Sequence, residues 1–426
     1  MHCYFAVSKV CNLRCRYCYV PEYNKNHQAN YDSQAVTSAR RFSEKIRQEV
    51  FPFESITLHG AEPSILSAKA LGEVIQIFRE TTRNQVRIQS NGTRFTESYL
   101  NKLLEVIGDP NQLFVGISID GSASIHNPQR NDTWDRVMDN IKTLRRYNFE
   151  VGLLSVITPL TIKHLQDFGL WVESVKPVVQ GLTFKLGEHG FGLSAEENKT
   201  FADWLYESRN IKHLQAFMPD LCMHDGNNCE FYEFDIEGNC YSCNKNYGEP
   251  GIFANWFEEN FEKIVAKRQF LYGSRPVDPE CEVCPYQRLC RSGCPLSREE
   301  DKSVDCLVKK TIYAKLLRDG IRAEAFFPIE SQSTSRAMQL ARYEDLPLAE
   351  ARVVMSPRLQ SSSGLTLNRI ESNFLKILLA DHATTIGEAL DRLGAACPDI
   401  PDETLVHEAL TLLKRLYERD LLSFAS

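Results

Sequence analysis

The chain has 426 residues, 43% hydrophobic and 25% charged, with a formal net charge of -7. That length and balance suit a globular protein with room for two or three cores. The acidic sum argues against nucleic acid as a partner, because binding a phosphate backbone favours a basic face.

No apolar run approaches the roughly 18 residues of a membrane-spanning helix. The first residues also lack a basic stretch followed by a long apolar one. The expected setting is therefore cytoplasmic, with no membrane partner.

Up to about residue 190, short apolar runs alternate with amphipathic stretches. Strands are expected at "HCYFAVS", "SITLHG", "QVRIQSN", "LFVGISID", "EVGLLSVIT" and "GLTFKLG". Helical periodicity fills 33–49, 67–82, 96–107, 133–147, 160–175 and 194–209. Ser33, Ser67, Thr96 and Ser194 are the expected N-caps. Six β-then-α units in series imply a parallel sheet with right-handed crossovers. Periodicity alone does not separate an open doubly wound sheet from a curved partial barrel.

From about 215 to 325 cysteine, glycine and proline become frequent and the strands short, the composition of a region stapled by metal or disulfides. Residues 328–345 read as a polar linker. Beyond it, "RVVMSP" and "SGLTLN" are strand-like, and "RIESNFLKILLADH", "TIGEALDRLG" and "DETLVHEALTLLKRLYERDLL" are helix-periodic. Two short strands with three helices suit a winged-helix-like domain over 346–426.

Cysteine placement carries the chemistry. Of 14 cysteines, Cys11, Cys15 and Cys18 follow the first strand, nine lie between Cys222 and Cys306, and Cys397 stands alone. In a chain without export signals such clustering favours metal ligation over disulfides. Three thiolates in a loop can converge on one iron–sulfur cube and leave one iron open. Zinc is the competing reading, but no nearby His or Cys at a zinc-like spacing supplies a fourth ligand. Cys3 is read as a packed small hydrophobe.

With Tyr17 before its third cysteine, "CNLRCRYC" resembles the signature of radical S-adenosylmethionine (SAM) enzymes. The resemblance implies a partial (β/α)6 TIM-like barrel over 1–212, with a [4Fe–4S] cluster on Cys11, Cys15 and Cys18 and SAM on its open iron. "HGAEP" at 59–63 is similar to the family's Gly-Gly-Glu-Pro segment, with Ala61 in place of the second glycine. By that likeness Gly60, Ala61 and Glu62 bind the SAM amino group. Ser90 and Asn91 of "SNGT" would face the ribose, and Ser118 and Arg130 the carboxylate. Val156 of "SVIT" would form an adenine-side wall. Each segment falls at the C-terminal end of a successive expected strand, where barrel enzymes assemble their sites. The cofactor supplies the hard chemistry, a 5′-deoxyadenosyl radical, and an external reductant such as flavodoxin or ferredoxin is implied.

Residues 213–327 closely resemble the SPASM extension through "CEVCPYQRLCRSGC" and the cysteines around it. That likeness implies two further [4Fe–4S] clusters, three in all. One would be held by Cys222, Cys229, Cys243 and Cys294, the other by Cys281, Cys284, Cys290 and Cys306. Cys240 is a spare.

Anaerobic sulfatase-maturing enzymes share this layout but carry a basic aspartate after the cysteine matching Cys243, where this chain has Asn244. Asn cannot take up a proton at neutral pH. The expectation is therefore a maturase that cross-links a ribosomally made precursor peptide through a C–C, ether or thioether bond. An aromatic-to-aliphatic link is preferred. The last domain, similar to leader-recognition domains, would take the leader as an added strand. Sulfatase maturation is the alternative, and a structural zinc or nucleic-acid-binding module the non-enzymatic one. No residue in the sequence identifies a general base.

Overall fold

The computed structural model describes residues 2–18, 31–49, 53, 55–82, 84–188, 190–217, 231–242, 251–273, 278–286, 290, 292–294, 296, 298–299, 302–318, 352–355, 369–380, 386–400, 404–405, 408–409, 412–413, 416 and 422–425. Cys222, Cys229, Cys243, Asn244 and the linker 328–345 lie outside that set. The chain forms two compact units. The first comprises Met1–Met218, Cys222–Cys284 and Cys290–Ile312, and the second Pro219–Leu221, Pro285–Leu289 and Tyr313–Ser426.

Six strands of the first unit run parallel: β1 (His2–Ser8), β2 (Ser55–Gly60), β3 (Val86–Ser90), β4 (Leu113–Ser118), β5 (Glu150–Ile157) and β6 (Gly181–Leu186). They lie side by side in sequence order. With right-handed crossovers, an order that never reverses puts every connecting helix on one face. A doubly wound sheet reverses direction midway, so this is the singly wound arrangement of a partial barrel.

Three more strands, β7 (Phe231–Asp235), β8 (Asn239–Tyr241) and β9 (Ile252–Asn255), extend the sheet from β1. The first of them is parallel to β1, with Tyr4 opposite Glu233. The sheet therefore continues past residue 212, where the cysteine-rich region was expected to begin a domain of its own.

Alternation decides what each face holds. Phe5 of β1 packs against Phe42 and Phe78 on the helices Tyr31–Gln48 and Ala68–Thr82. Its neighbours Tyr4 and Ala6 point to the opposite, interior face, shared in register by Thr57 and His59. On that face Lys185 of β6 still acts electrostatically on His59 of β2. Four strand spacings would put these strands about 19 Å apart in a flat sheet, so the sheet curls around its interior.

Two expectations need correction. The first helix is Tyr31–Gln48, so Ser33 lies inside it and is not its N-cap residue. The helix expected over 160–175 is two, Pro159–Lys163 and Leu165–Val175, separated at His164. A capping box between Thr158 and Thr161 starts the first of them. Ser67, Thr96 and Ser194 each accept a bond from the first helical turn as expected.

In the second unit, helices Arg369–Ala380 and Ile386–Ala396 bury Phe374, Leu378, Leu393 and Cys397 with Leu405, Leu412 and Leu416. The expected strand in "RVVMSP" is Arg352–Met355, while "SGLTLN" lies outside the described residues. The antiparallel partner is Leu422–Ala425, at the end of the stretch read as a third helix. Pairing across some 70 residues leaves no trace in local periodicity.

Candidate active site

Three strand ends build one cradle. β2 ends at Gly60, whose φ of +108° is open to glycine. A Cβ there would stand 2.5 Å from the Ser8 carbonyl oxygen. This close approach lets the Ala61 and Glu62 amides donate to the Ser8 and Val10 carbonyls, tying "HGAEP" to the cysteine loop. Ala61 is not among the residues with positive φ, so its methyl adds no strain.

Glu62 is 1% exposed and accepts four hydrogen bonds. Its Oε1 accepts from the Ser64 amide at 2.9 Å, the Ser64 hydroxyl at 2.5 Å and the Ser90 hydroxyl at 2.6 Å. Its Oε2 accepts from the Asn91 amide at 2.7 Å. Ser90 and Asn91 thus direct their donors to Glu62. Asn91 Nδ2 also reaches Asn12 Oδ1 and the Cys11 sulfur, at 2.9 and 3.7 Å.

The fourth strand supplies the other half through Asp120, two residues beyond its end. The buried Asp120 accepts from Tyr17 Oη at 2.5 Å, Arg130 Nε at 3.0 Å, Gln129 Nε2 at 3.2 Å and the Val156 amide at 3.2 Å. A short helix, Ala123–Gln129, which sequence reading did not anticipate, carries Gln129 and Arg130 into place. Arg130 Nη1 stands 3.8 Å from the Cys15 sulfur, and its guanidinium lies over the Tyr17 ring. Burial pushes the Tyr17 phenol well up, with Asp120 adding to the shift and Arg130 opposing it. Ser118 Oγ takes its bond from Gln89.

The cysteine loop fits an iron–sulfur cluster. Cys11 accepts from the Leu13 amide and Asn91, and Cys15 from Arg130, the kind of donors that tune a cluster's sulfurs. Burial pushes the metal-free Cys11 thiol up to about 12 and also raises Cys15. Among the described residues no three Cys, His, Asp or Glu side chains converge on a single ion. Thiolates serving separate corners of a cube need not do so.

In the second cysteine field, Cys281, Cys284 and Cys306 all lie within electrostatic reach of Cys290. Cys294 is buried and accepts from the Leu296 amide. Its expected co-ligands Cys222, Cys229 and Cys243 are outside the described residues. Cys240 and Cys3 are fully buried core thiols on the helix-covered face, with Cys240 opposite Phe234.

Asp120, Asn12 and Gln129 were missed as site residues. Asp120 was visible as the one acid in "SIDG"; nothing local singled out the others.

Residues 5–172 match the Radical SAM superfamily. The cysteine-type anaerobic sulfatase-maturating enzyme of Clostridium novyi is 26% identical over 338 residues, covering 68% of this chain and 87% of its own. The serine-type enzyme of Bacteroides thetaiotaomicron is 21% identical, covering 68% and 81%. Among solved structures, native anSMEcpe with bound AdoMet superposes with a TM-score of 0.60 at 20% identity, over 75% of this chain and 97% of its own. Streptococcus suis SuiB bound to precursor peptide SuiA gives 0.51 at 13% identity, over 72% and 75%. The structural likenesses establish a shared fold. No described helix is long and apolar enough to cross a membrane. The chain carries a radical SAM domain over residues 5–172.

Proposed function

We propose that this chain is a radical SAM enzyme that oxidises a residue within a peptide or protein. The observation that carries the reading is the meeting, at the C-terminal ends of successive parallel strands, of the cysteine loop, Glu62 and the Asp120–Arg130 pair. In this reading Cys11, Cys15 and Cys18 hold a [4Fe–4S] cluster. Glu62 receives the SAM ammonium, because Oε2 has taken one hydrogen bond and keeps room for another. Arg130 directs two of its five N–H groups to Asp120 and Cys15, leaving others for the SAM carboxylate. Gly60 and Ala61 line the amino group, Ser90 and Asn91 brace Glu62, Ser118 stands beside the carboxylate, Val156 by the adenine, and Tyr17 under Arg130. Bound there, cluster and SAM supply a 5′-deoxyadenosyl radical that removes a substrate hydrogen atom.

Two further [4Fe–4S] clusters, on Cys222, Cys229, Cys243 and Cys294 and on Cys281, Cys284, Cys290 and Cys306, would accept the second electron. Flavodoxin or ferredoxin would supply the first. The mutual closeness of the second set supports its assignment.

The relatives named as sulfatase-maturating enzymes favour oxidation of a cysteine or serine side chain to an aldehyde over the cross-linking expected from Asn244. Cross-linking of a precursor peptide remains the second reading. It is favoured by Asn244 and by a C-terminal unit whose strand pair and helices suit a winged-helix-like leader-binding domain.

Anaerobic reconstitution, reduction and mass spectrometry separate the two. A cysteine-bearing sulfatase peptide that loses its sulfur and gains an aldehyde supports the first. Loss of two hydrogens from a co-expressed precursor, with two side chains joined, supports the second. Zinc-loaded protein that leaves SAM intact overturns both.

A further inference from the structure

The barrel interior holds a pair of side chains that the cofactor cradle does not use. Glu233 of β7 and His59 of β2 flank β1 and share its interior face, Glu233 opposite Tyr4 and His59 opposite Ala6. Glu233 is 0% exposed, and neither carboxylate oxygen has a hydrogen-bond partner. His59 Nδ1 is buried and also unpartnered. The two face each other, with Nδ1 4.0 Å from Glu233 Oε1. That is too far for a bond between them, and suits one small atom reaching both at about 2.8 Å.

Native proteins rarely leave buried polar atoms unsatisfied, and each costs about 1–3 kcal/mol when they do. Three such atoms together mark a place where something else bonds. His59 is the open member, with 12% of its side chain exposed against 1% for Glu233. It also stands three residues before Glu62, on the strand end that forms the cradle.

We propose that His59 and Glu233 form the subsite that receives the side-chain hydroxyl or thiol of the residue being modified. Burial and the neighbouring Asp235 push Glu233 well up, while burial and Lys185 hold His59 down to about 4. Both shifts favour uncharged forms, a protonated carboxyl beside a neutral imidazole. Such a pair offers one donor and one acceptor, matching a group that itself donates and accepts through a single atom. It disfavours an ammonium or carboxylate. The subsite rests on the reading of the barrel as a peptide oxidase, and it assigns the target residue to serine or cysteine.

The test is peptide binding to the reconstituted full chain with SAM and no reductant, so that nothing turns over. The probes are a sulfatase-derived peptide with cysteine at the target position and the same peptide with serine or alanine. The cysteine and serine peptides should bind about tenfold more tightly than alanine, because alanine leaves the pair unbonded. Glu233→Leu and His59→Leu should erase that preference, and Glu233→Gln, which still donates, should keep most of it. Iron content and circular dichroism equal to wild type show that the variants are folded.

Equal binding of all three peptides by the wild type, or an undiminished preference in both leucine variants, overturns the subsite and means that a trapped water fills the gap. Reduction of the same samples then tests the parent reading separately. A preference without any change in peptide mass leaves the subsite standing and rejects the oxidase. A change in mass without preference does the reverse, and failure of the wild type to bind any of the peptides rejects both.

Discussion

Two glutamates, both buried, one just past the end of β2 and one within β7, live in opposite environments. Glu62 accepts four hydrogen bonds from Ser64, Ser90 and Asn91; Glu233 accepts none. The difference separates two kinds of site. Around Glu62 the chain supplies its own partners and arrives preorganised, as the proposed cofactor cradle requires. Around Glu233 the chain leaves polar atoms open, as suits a ligand that comes and goes.

The sharpest way to break the comparison is to remove each carboxylate. Glu62→Leu strands several buried donors and should cost about 3–5 kcal/mol of stability. Glu233→Leu removes two unsatisfied oxygens and should stabilise the fold by about 1–3 kcal/mol. Chemical denaturation of both variants reads the difference, and the same sign in both would collapse the distinction.

Acid sharpens it further. His59, mostly buried, and His126, fully buried, are held down to about 4, by desolvation before any other cause. Their unfolded value is about 6.5, so below that pH the unfolded chain binds more protons and stability falls. At pH 5 the loss should be about 2 kcal/mol for each imidazole. Glu233 has the opposite sign. Its raised value means that its stability is fully present below about pH 4.5 and is lost as pH rises. The advantage of Glu233→Leu over the wild type should therefore widen between about pH 4 and pH 7, and a constant gap would show that Glu233 is not buried uncharged.

Gly60→Ala is the smaller test of the cradle. A side chain at φ +108° and 2.5 Å from a carbonyl oxygen should cost about 1–3 kcal/mol and loosen the cysteine loop. Stability equal to wild type would mean that the Gly60 approach is not needed.

The meeting of the strand-end segments was legible in the sequence because its parts are local. "CNLRCRYC", "HGAEP", "SNGT" and "SIDG" each sit within a few residues at a strand end, and the six expected strands rest on short apolar runs that the structure keeps. Contacts made between segments were not legible. Asp120 becomes a hub only when Tyr17, Gln129, Arg130 and Val156 fold around it. Glu233 meets His59 only because β7 pairs with β1 across more than 200 residues. Sequence reading also divided the chain where cysteine content rises, while the sheet runs on through that point, since backbone pairing is blind to composition. The proposed subsite for the substrate group, which no motif identified, was hidden because its two residues meet only in the fold.

The most direct measurement is 5′-deoxyadenosine formation by the anaerobically reconstituted, reduced chain, comparing wild type with Cys15→Ala. The wild type should cleave SAM, and the variant should form none and lose about four irons per chain. Equal SAM cleavage by the variant, or none by iron-replete wild type, would contradict the account.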